Sequence, residues 1–284
     1  MIEIKNLNYT YRDSGKHAVQ NLNFTIEKGE VFGLLGPSGA GKTTTQRLVI
    51  GLLSGYQGSI KIMDKERSDF GKEFYEDIGI AFDFPNLYLK LTAKENLDLL
   101  SSYYKNKRYD SLELLEKVGL LPDKDKKVQD FSKGMKMRLN FIRSLMHDPK
   151  ILFFDEPTSG LDPVNAKIIK DMILELKSEG KTIFLTTHNM TVAEQLCDRV
   201  AFMVDGKTPV IDSPKQLMIE YGEKVVDITS AENESEQKHS FKLDHIDKDH
   251  RFIQLIQSGT VRTIHSKEAT LEEVFIRLTG KELV

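Results

Sequence analysis

Gly36-Pro37-Ser38-Gly39-Ala40-Gly41-Lys42-Thr43 is the stretch that most narrows what this chain can become. It follows Val31-Phe32-Gly33-Leu34-Leu35, a continuous apolar run suited to a strand buried on both faces. From Thr43 to Leu53 the apolar residues fall at helical spacing. A buried strand, a glycine turn and a helix open a βαβ unit, which commits the chain to an α/β fold with a mainly parallel sheet. The turn itself fits G-x-x-x-x-G-K-[ST]. Its glycines let the backbone wrap closely, so that several N–H groups converge on phosphate oxygens, and the helix N-terminus adds about half a positive charge. Lys42 supplies a mobile ammonium for the phosphates, and the Thr43 hydroxyl is placed to ligate a magnesium ion.

Composition excludes several classes. Lys plus Arg (40) against Asp plus Glu (43) gives a net charge of −3, which argues against a protein built to neutralise nucleic-acid phosphates. A single cysteine, Cys197, permits no intrachain disulfide. Met1-Ile2-Glu3-Ile4-Lys5 alternates apolar and charged residues, so no signal peptide is expected. Runs such as Leu48–Leu53 fall far short of the ~20 residues that cross a bilayer. The expectation is a chain on the cytoplasmic side of the membrane, reaching any membrane role through a partner.

Around the turn the organisation is legible in outline. Residues 1–30 read as short strands, with Ile2, Ile4 and Leu7 followed by Leu22, Phe24 and Ile26, and predict an antiparallel β subdomain. Residues 84–148 predict a helical insertion, and strand and helix signals alternate again from Ile151 to Val204. The polar stretch Ser230–His239 reads as a loop or linker. Phe252–Ile256 and Thr260–Ile264 flank Ser258-Gly259 as a hairpin, and Leu271, Val274, Phe275 and Leu278 form one helix face behind Thr270, a good N-cap. The expected division is a domain over 1–222 and a small α+β appendage over 223–284.

A second chemical signal lies downstream. Lys150-Ile151-Leu152-Phe153-Phe154-Asp155-Glu156 is an apolar strand ending in two acids. Alone, such a pair reads equally as solvated carboxylates opening a loop. At a strand's carboxyl end beside a phosphate turn, Asp155 is placed to hold magnesium through a water, and Glu156 to act as general base or to polarise the attacking water.

The pieces around these acids give the chain its resemblance. Pro157-Thr158-Ser159-Gly160-Leu161-Asp162 follows directly, Thr186-Thr187-His188 closes the next strand, and Phe131-Ser132-Lys133-Gly134-Met135 precedes a basic helix. In this order the motifs closely resemble the ATP-binding subunits of ABC transporters, over residues 1–222. The resemblance implies a P-loop NTPase core, ATP and Mg²⁺ as ligands, and a phosphate cradle that extends to Thr44. It makes Tyr11 the ring that stacks on adenine, and Ser132 and Gly134 the signature loop that meets the γ-phosphate of ATP bound by the other subunit. Asp162 would link the two composite sites, and His188 would contact the γ-phosphate and the attacking water.

Two departures stand out. The signature usually reads L-S-G-G-Q, and Asp83 occupies a place where the family usually has a metal-binding glutamine; a carboxylate there is still expected to ligate Mg²⁺ while adding negative charge. The implied assembly is a head-to-tail dimer sandwiching two ATP molecules, with residues 84–110 forming a groove for a helix of a separate membrane permease. The tail Thr270–Gly280 and the F-S-K-G-M signature resemble the ATPases of two-component exporters. The alternative is a soluble ATPase of this type acting in assembly or DNA maintenance; the compact stretch between Lys42 and Ser132, without sustained heptads, disfavours it.

Overall fold

The computed structural model describes residues 1–11, 15, 17–105, 109–222, 224–232, 235–267 and 269–281. In chain order the first part comprises β1 (Ile2–Thr10), β2 (His17–Ile26), β3 (Val31–Leu35), α1 (Lys42–Ile50), β4 (Gln57–Ile62), β5 (Lys65–Glu66) and β6 (Ile78–Ala81). Then come α2 (Ala93–Ser101), α3 (Ser111–Lys117), α4 (Lys133–Arg143), β7 (Ile151–Asp155), α5 (Pro163–Ser178), β8 (Thr182–Thr187), α6 (Met190–Leu196), β9 (Arg199–Val204) and β10 (Lys207–Asp212).

The central sheet has the order β10-β9-β3-β8-β7-β6, parallel throughout except for the β10 edge. Every residue of β3, β7 and β8 is buried, as continuous apolar runs require when helices cover both faces. A second sheet, β2-β1-β4-β5, is antiparallel, and Ile2, Ile4, Leu7 and Ile60 share one core with Phe32, Phe153 and Phe184. Phe24 stacks on Phe32 with ring centres 5.0 Å apart, tying the two sheets together. Between β6 and β7 the chain leaves the sheet for α2, α3 and α4, the expected helical insertion. Thr92 and Glu95 form a capping box at the start of α2, and Asp110 caps α3. The α/β class, the antiparallel subdomain and the helical insertion are all as the sequence predicts.

The described chain divides into two compact units between Asp212 and Ser213, where the expected boundary followed residue 222. The helix that begins there, α7 (Pro214–Tyr221), belongs to the second unit, and Arg277 Nη1 donates to its Tyr221 carbonyl at 3.0 Å. That unit continues with β11 (Val225–Glu232), β12 (Ser235–Lys242), α8 (His250–Gln257), β13 (Val261–Lys267) and α9 (Leu271–Thr279). Its strands form an antiparallel sheet in the order β12-β11-β13.

Two readings of this unit are corrected. Much of Ser230–His239 is no linker: Ser230–Glu232 ends β11, and Ser235–His239 opens β12, which pairs with it. The sheet buries one face only, with Val226, Ile228 and Phe241 in its core, so the intervening positions are free to be polar. Phe252–Ile256 is helix, not the first arm of a hairpin. Asp249 caps α8 by accepting from the Arg251 and Phe252 N–H groups, and Phe252 and Leu255, one helical turn apart, pack on the sheet.

Candidate active site

The order β3-β8-β7-β6 places four carboxyl ends side by side, and each ends in residues singled out from the sequence. β3 runs into the glycine turn, β8 into Thr187 and His188, β7 into Asp155 and Glu156, and β6 toward Asp83. Carboxyl ends of parallel strands are where open α/β sheets bind ligands. A cavity of ≈ 510 Å³ opens there, lined by Ser38, Gly39, Gly41, Lys42, Thr43 and Thr44 from the turn. Asp83, Asp155, Glu156 and His188 line it from the other strands, and Tyr11, Ala18 and Ser159 complete it.

Close packing explains the turn's glycines. Gly41 has φ 114°, and a Cβ there would lie 2.3 Å from the Ala18 carbonyl oxygen; one on Gly36 would lie 2.1 Å from that of Met203. Gly36, Pro37 and Ala40 shape the turn without lining the cavity. Lys42 is buried and donates to the carbonyls of Gly36 at 2.6 Å and Pro37 at 3.0 Å. Burial lowers its pKa, against the opposing pull of Glu156 and Asp155.

Asp155 is buried and accepts from two hydroxyls, Thr43 at 2.9 Å on Oδ2 and Thr186 on Oδ1. Burial raises its pKa; the two hydroxyl hydrogen bonds oppose this, and the charges of Glu156 and Asp83 push it further up. Glu156 is 14% exposed and also held at both oxygens. Oε2 accepts from Thr187 Oγ1 at 2.8 Å, and Oε1 accepts from the His188 N–H at 2.9 Å and lies 2.6 Å from His188 Nδ1. Its backbone takes φ 51°, a left-handed conformation rare outside glycine and asparagine. Tyr11 Oη lies 3.0 Å from Thr44 Oγ1, and its ring meets Tyr9 edge-on.

Besides Gly36, Pro37 and Ala40, three expected residues lie outside this cavity. Ser132 is exposed and caps α4, accepting from the Met135 N–H at 3.2 Å. Gly134 lies in the first turn of the same helix, and Asp162 caps α5, where the Asn165 side-chain amide, then the Asn165 and Val164 N–H groups, hold its carboxylate and lower its pKa.

Sequence reasoning missed Gln46. Fully buried on α1, its amide donates to the carbonyls of Phe154 at 3.1 Å and Phe184 at 3.0 Å, fixing the helix to the strands that carry Asp155 and Thr187. The available signal was an amide among the inward-facing positions of α1, beside Thr45 and Val49.

Comparison with known proteins agrees with this geometry. Residues 19–159 match the ABC transporter family. The fluoroquinolones export ATP-binding protein of Mycobacterium tuberculosis is 47% identical over all of this chain and 94% of its own length. Nod factor export ATP-binding protein I of Rhizobium meliloti is 35% identical over 99% of this chain and 89% of its own. A dimeric ATP-binding cassette in a post-hydrolysis state, bound to ADP and Pi, superposes with a TM-score of 0.68 at 29% identity, covering 75% of this chain and 98% of that one. With a cavity lined by a phosphate-binding turn at the ends of four strands and relatives matched over nearly their full length, the chain belongs to the ABC transporter family, among its ATP-binding, ATP-hydrolysing export subunits.

Proposed function

We propose that this chain powers export through a separate membrane permease, closing as a dimer around two ATP molecules and reopening on hydrolysis. The observation that carries the reading is the pairing of a phosphate turn with a carboxylate, Glu156, that Thr187 and His188 hold at the same cavity.

The residues fit a magnesium–nucleotide pair. Thr43 and Asp155 already contact each other as hydroxyl and carboxylate, and the negative charges crowding Asp155 want a cation. Thr43, Asp155 and Asp83 would hold the metal, which when bound supplies positive charge against the phosphate oxygens. Lys42 and the turn's N–H groups bind the phosphates, Tyr11 offers its ring to the base, and Glu156 takes the proton of the attacking water while His188 keeps its carboxylate aimed. In the closed dimer, Ser132 and Gly134 of one subunit would face the ATP of the other, and Asp162 would lie between the two sites. Coupling to transport is a population shift, because bound ATP makes some of its contacts only in the closed state.

Support for a permease contact comes from residues 84–110, where Phe84, Tyr88, Leu89 and Tyr103 are exposed, Phe84 directly beside Asp83. Among the described residues no helix is long and apolar enough to cross a membrane, so the transmembrane path would belong to the partner. The mycobacterial relative makes a fluoroquinolone the first cargo to try.

Two measurements test the reading. A Glu156→Gln chain is expected to bind ATP at near wild-type affinity while hydrolysis falls by at least about 10²-fold, and persistent turnover would remove Glu156 as the base. Purification from membranes is expected to bring down an integral-membrane protein in stoichiometric amount; a purely soluble complex would favour a role without a permease.

A further inference from the structure

The nucleotide cavity carries an imbalance of charge. Asp83, Asp155 and Glu156 line it, while Lys42 is the one lysine or arginine among its described lining residues. A triphosphate adds further negative charge. Bringing two subunits together over it removes water, which strengthens each of these repulsions. A cation supplied only on closure would therefore favour the closed state.

Lys133 is such a cation. It is the first residue of α4, directly after the cap Ser132, and it is exposed. Its side chain runs along the loop before α5: a Cβ on Gly160 would lie 3.0 Å from Lys133 Cε and 3.2 Å from Nζ. Gly160 has φ 70°, so glycine there leaves both the loop and the lysine unstrained. Among the described residues no carboxylate pairs with Lys133. A lysine in the first turn of a helix also opposes the helix dipole. A residue that breaks a local rule, with no local partner to offset it, marks a contact made elsewhere.

We infer that Lys133, steadied over Gly160, is a positioning residue that faces the partner subunit's nucleotide site and offsets the negative charge that Asp83 adds there. The inference rests on the two-subunit reading above and deepens it. Lys133 takes no part in bond breaking; it lowers the free energy of the closed dimer relative to separate subunits.

The test uses the full-length Glu156→Gln chain with ATP and Mg²⁺, its dimerisation followed by sedimentation at low and high salt. Adding Lys133→Gln should weaken the dimer by about five- to tenfold at low salt and by less than about twofold at high salt, with the melting temperature of the separate subunit unchanged. Lys133→Arg should restore it. In an Asp83→Gln background the Lys133→Gln effect should shrink, since the charge it offsets is gone. An unchanged dimer constant and salt slope in Lys133→Gln would overturn the inference alone, as would a loss that arginine does not restore or that is the same size with Asp83→Gln. A Glu156→Gln chain that never dimerises would overturn the two-subunit reading and this inference with it.

Discussion

Glu156 holds a left-handed backbone, φ 51°, at the end of a strand whose every residue is buried. Such a conformation costs a non-glycine residue about 1–3 kcal/mol, and it persists where surrounding bonds over-determine it. Here the Glu156 N–H donates to the Thr186 carbonyl at 2.9 Å, and its own carbonyl accepts from the Ser159 N–H at 3.0 Å. The neighbouring Asp155 bears a different cost. Burial raises its pKa, so holding the negative charge destabilises the fold; the penalty is absent below the ordinary carboxylate value near pH 4 and grows as pH rises through it to the raised folded value. Without metal or nucleotide, Asp155→Asn should therefore melt higher than wild type at pH 7, the gap closing toward pH 4. Equal melting at both pH values would contradict the account, and magnesium-dependent turnover should be lost in the same variant. Asp155 and Glu156 were legible because a strand ending in acids next to a phosphate turn has few other uses, whereas His188, at the end of a different strand, was reached only through the family resemblance. Gln46 was not, because an amide within a short helix reads as surface until the sheet beneath it is known. Thr187 was quoted in the sequence, but as a β-branched residue in a strand it gave no hint that its hydroxyl would hold the Glu156 carboxylate.

At the scale of elements, legibility tracks burial. The core strands are buried from end to end and mostly apolar, and declare themselves, as does α1 behind its glycine turn. The second unit does not, because its sheet is buried on one face and its α8 is two turns long. Phe252, Ile253, Leu255 and Ile256 suit a strand or a helix about equally, and the deciding residue is Asp249, whose carboxylate takes the first N–H groups of the helix. Asp249→Ala is expected to cost about 0.5–2 kcal/mol and to speed amide exchange across His250–Gln257, with no change in ATP hydrolysis. Unaltered exchange in that segment would show that packing on Phe241 holds the helix without its cap. The polar run after Ser230 misled for a related reason: on a sheet with one solvated face, alternate residues lose their apolar signature.

For the whole molecule, the parallel sheet gathers the glycine turn, Asp155, Glu156 and His188 at the carboxyl ends of its strands, while Ser132, Gly134 and Asp162 stand at the starts of two helices outside the cavity. One subunit thus displays the glycine turn and its facing carboxylates, together with exposed Ser132 and Asp162 that the cavity does not use. In the reading proposed above a second copy gives those groups a function, and a cassette to which this fold is similar is dimeric with ADP and Pi bound. The most direct test is a crystal structure of the Glu156→Gln chain with ATP and Mg²⁺. Two subunits should enclose two nucleotides, with the Ser132 hydroxyl of each within hydrogen-bond distance of the γ-phosphate that the other holds on Lys42. A nucleotide bound to a lone subunit, with Ser132 facing only solvent, would contradict the account.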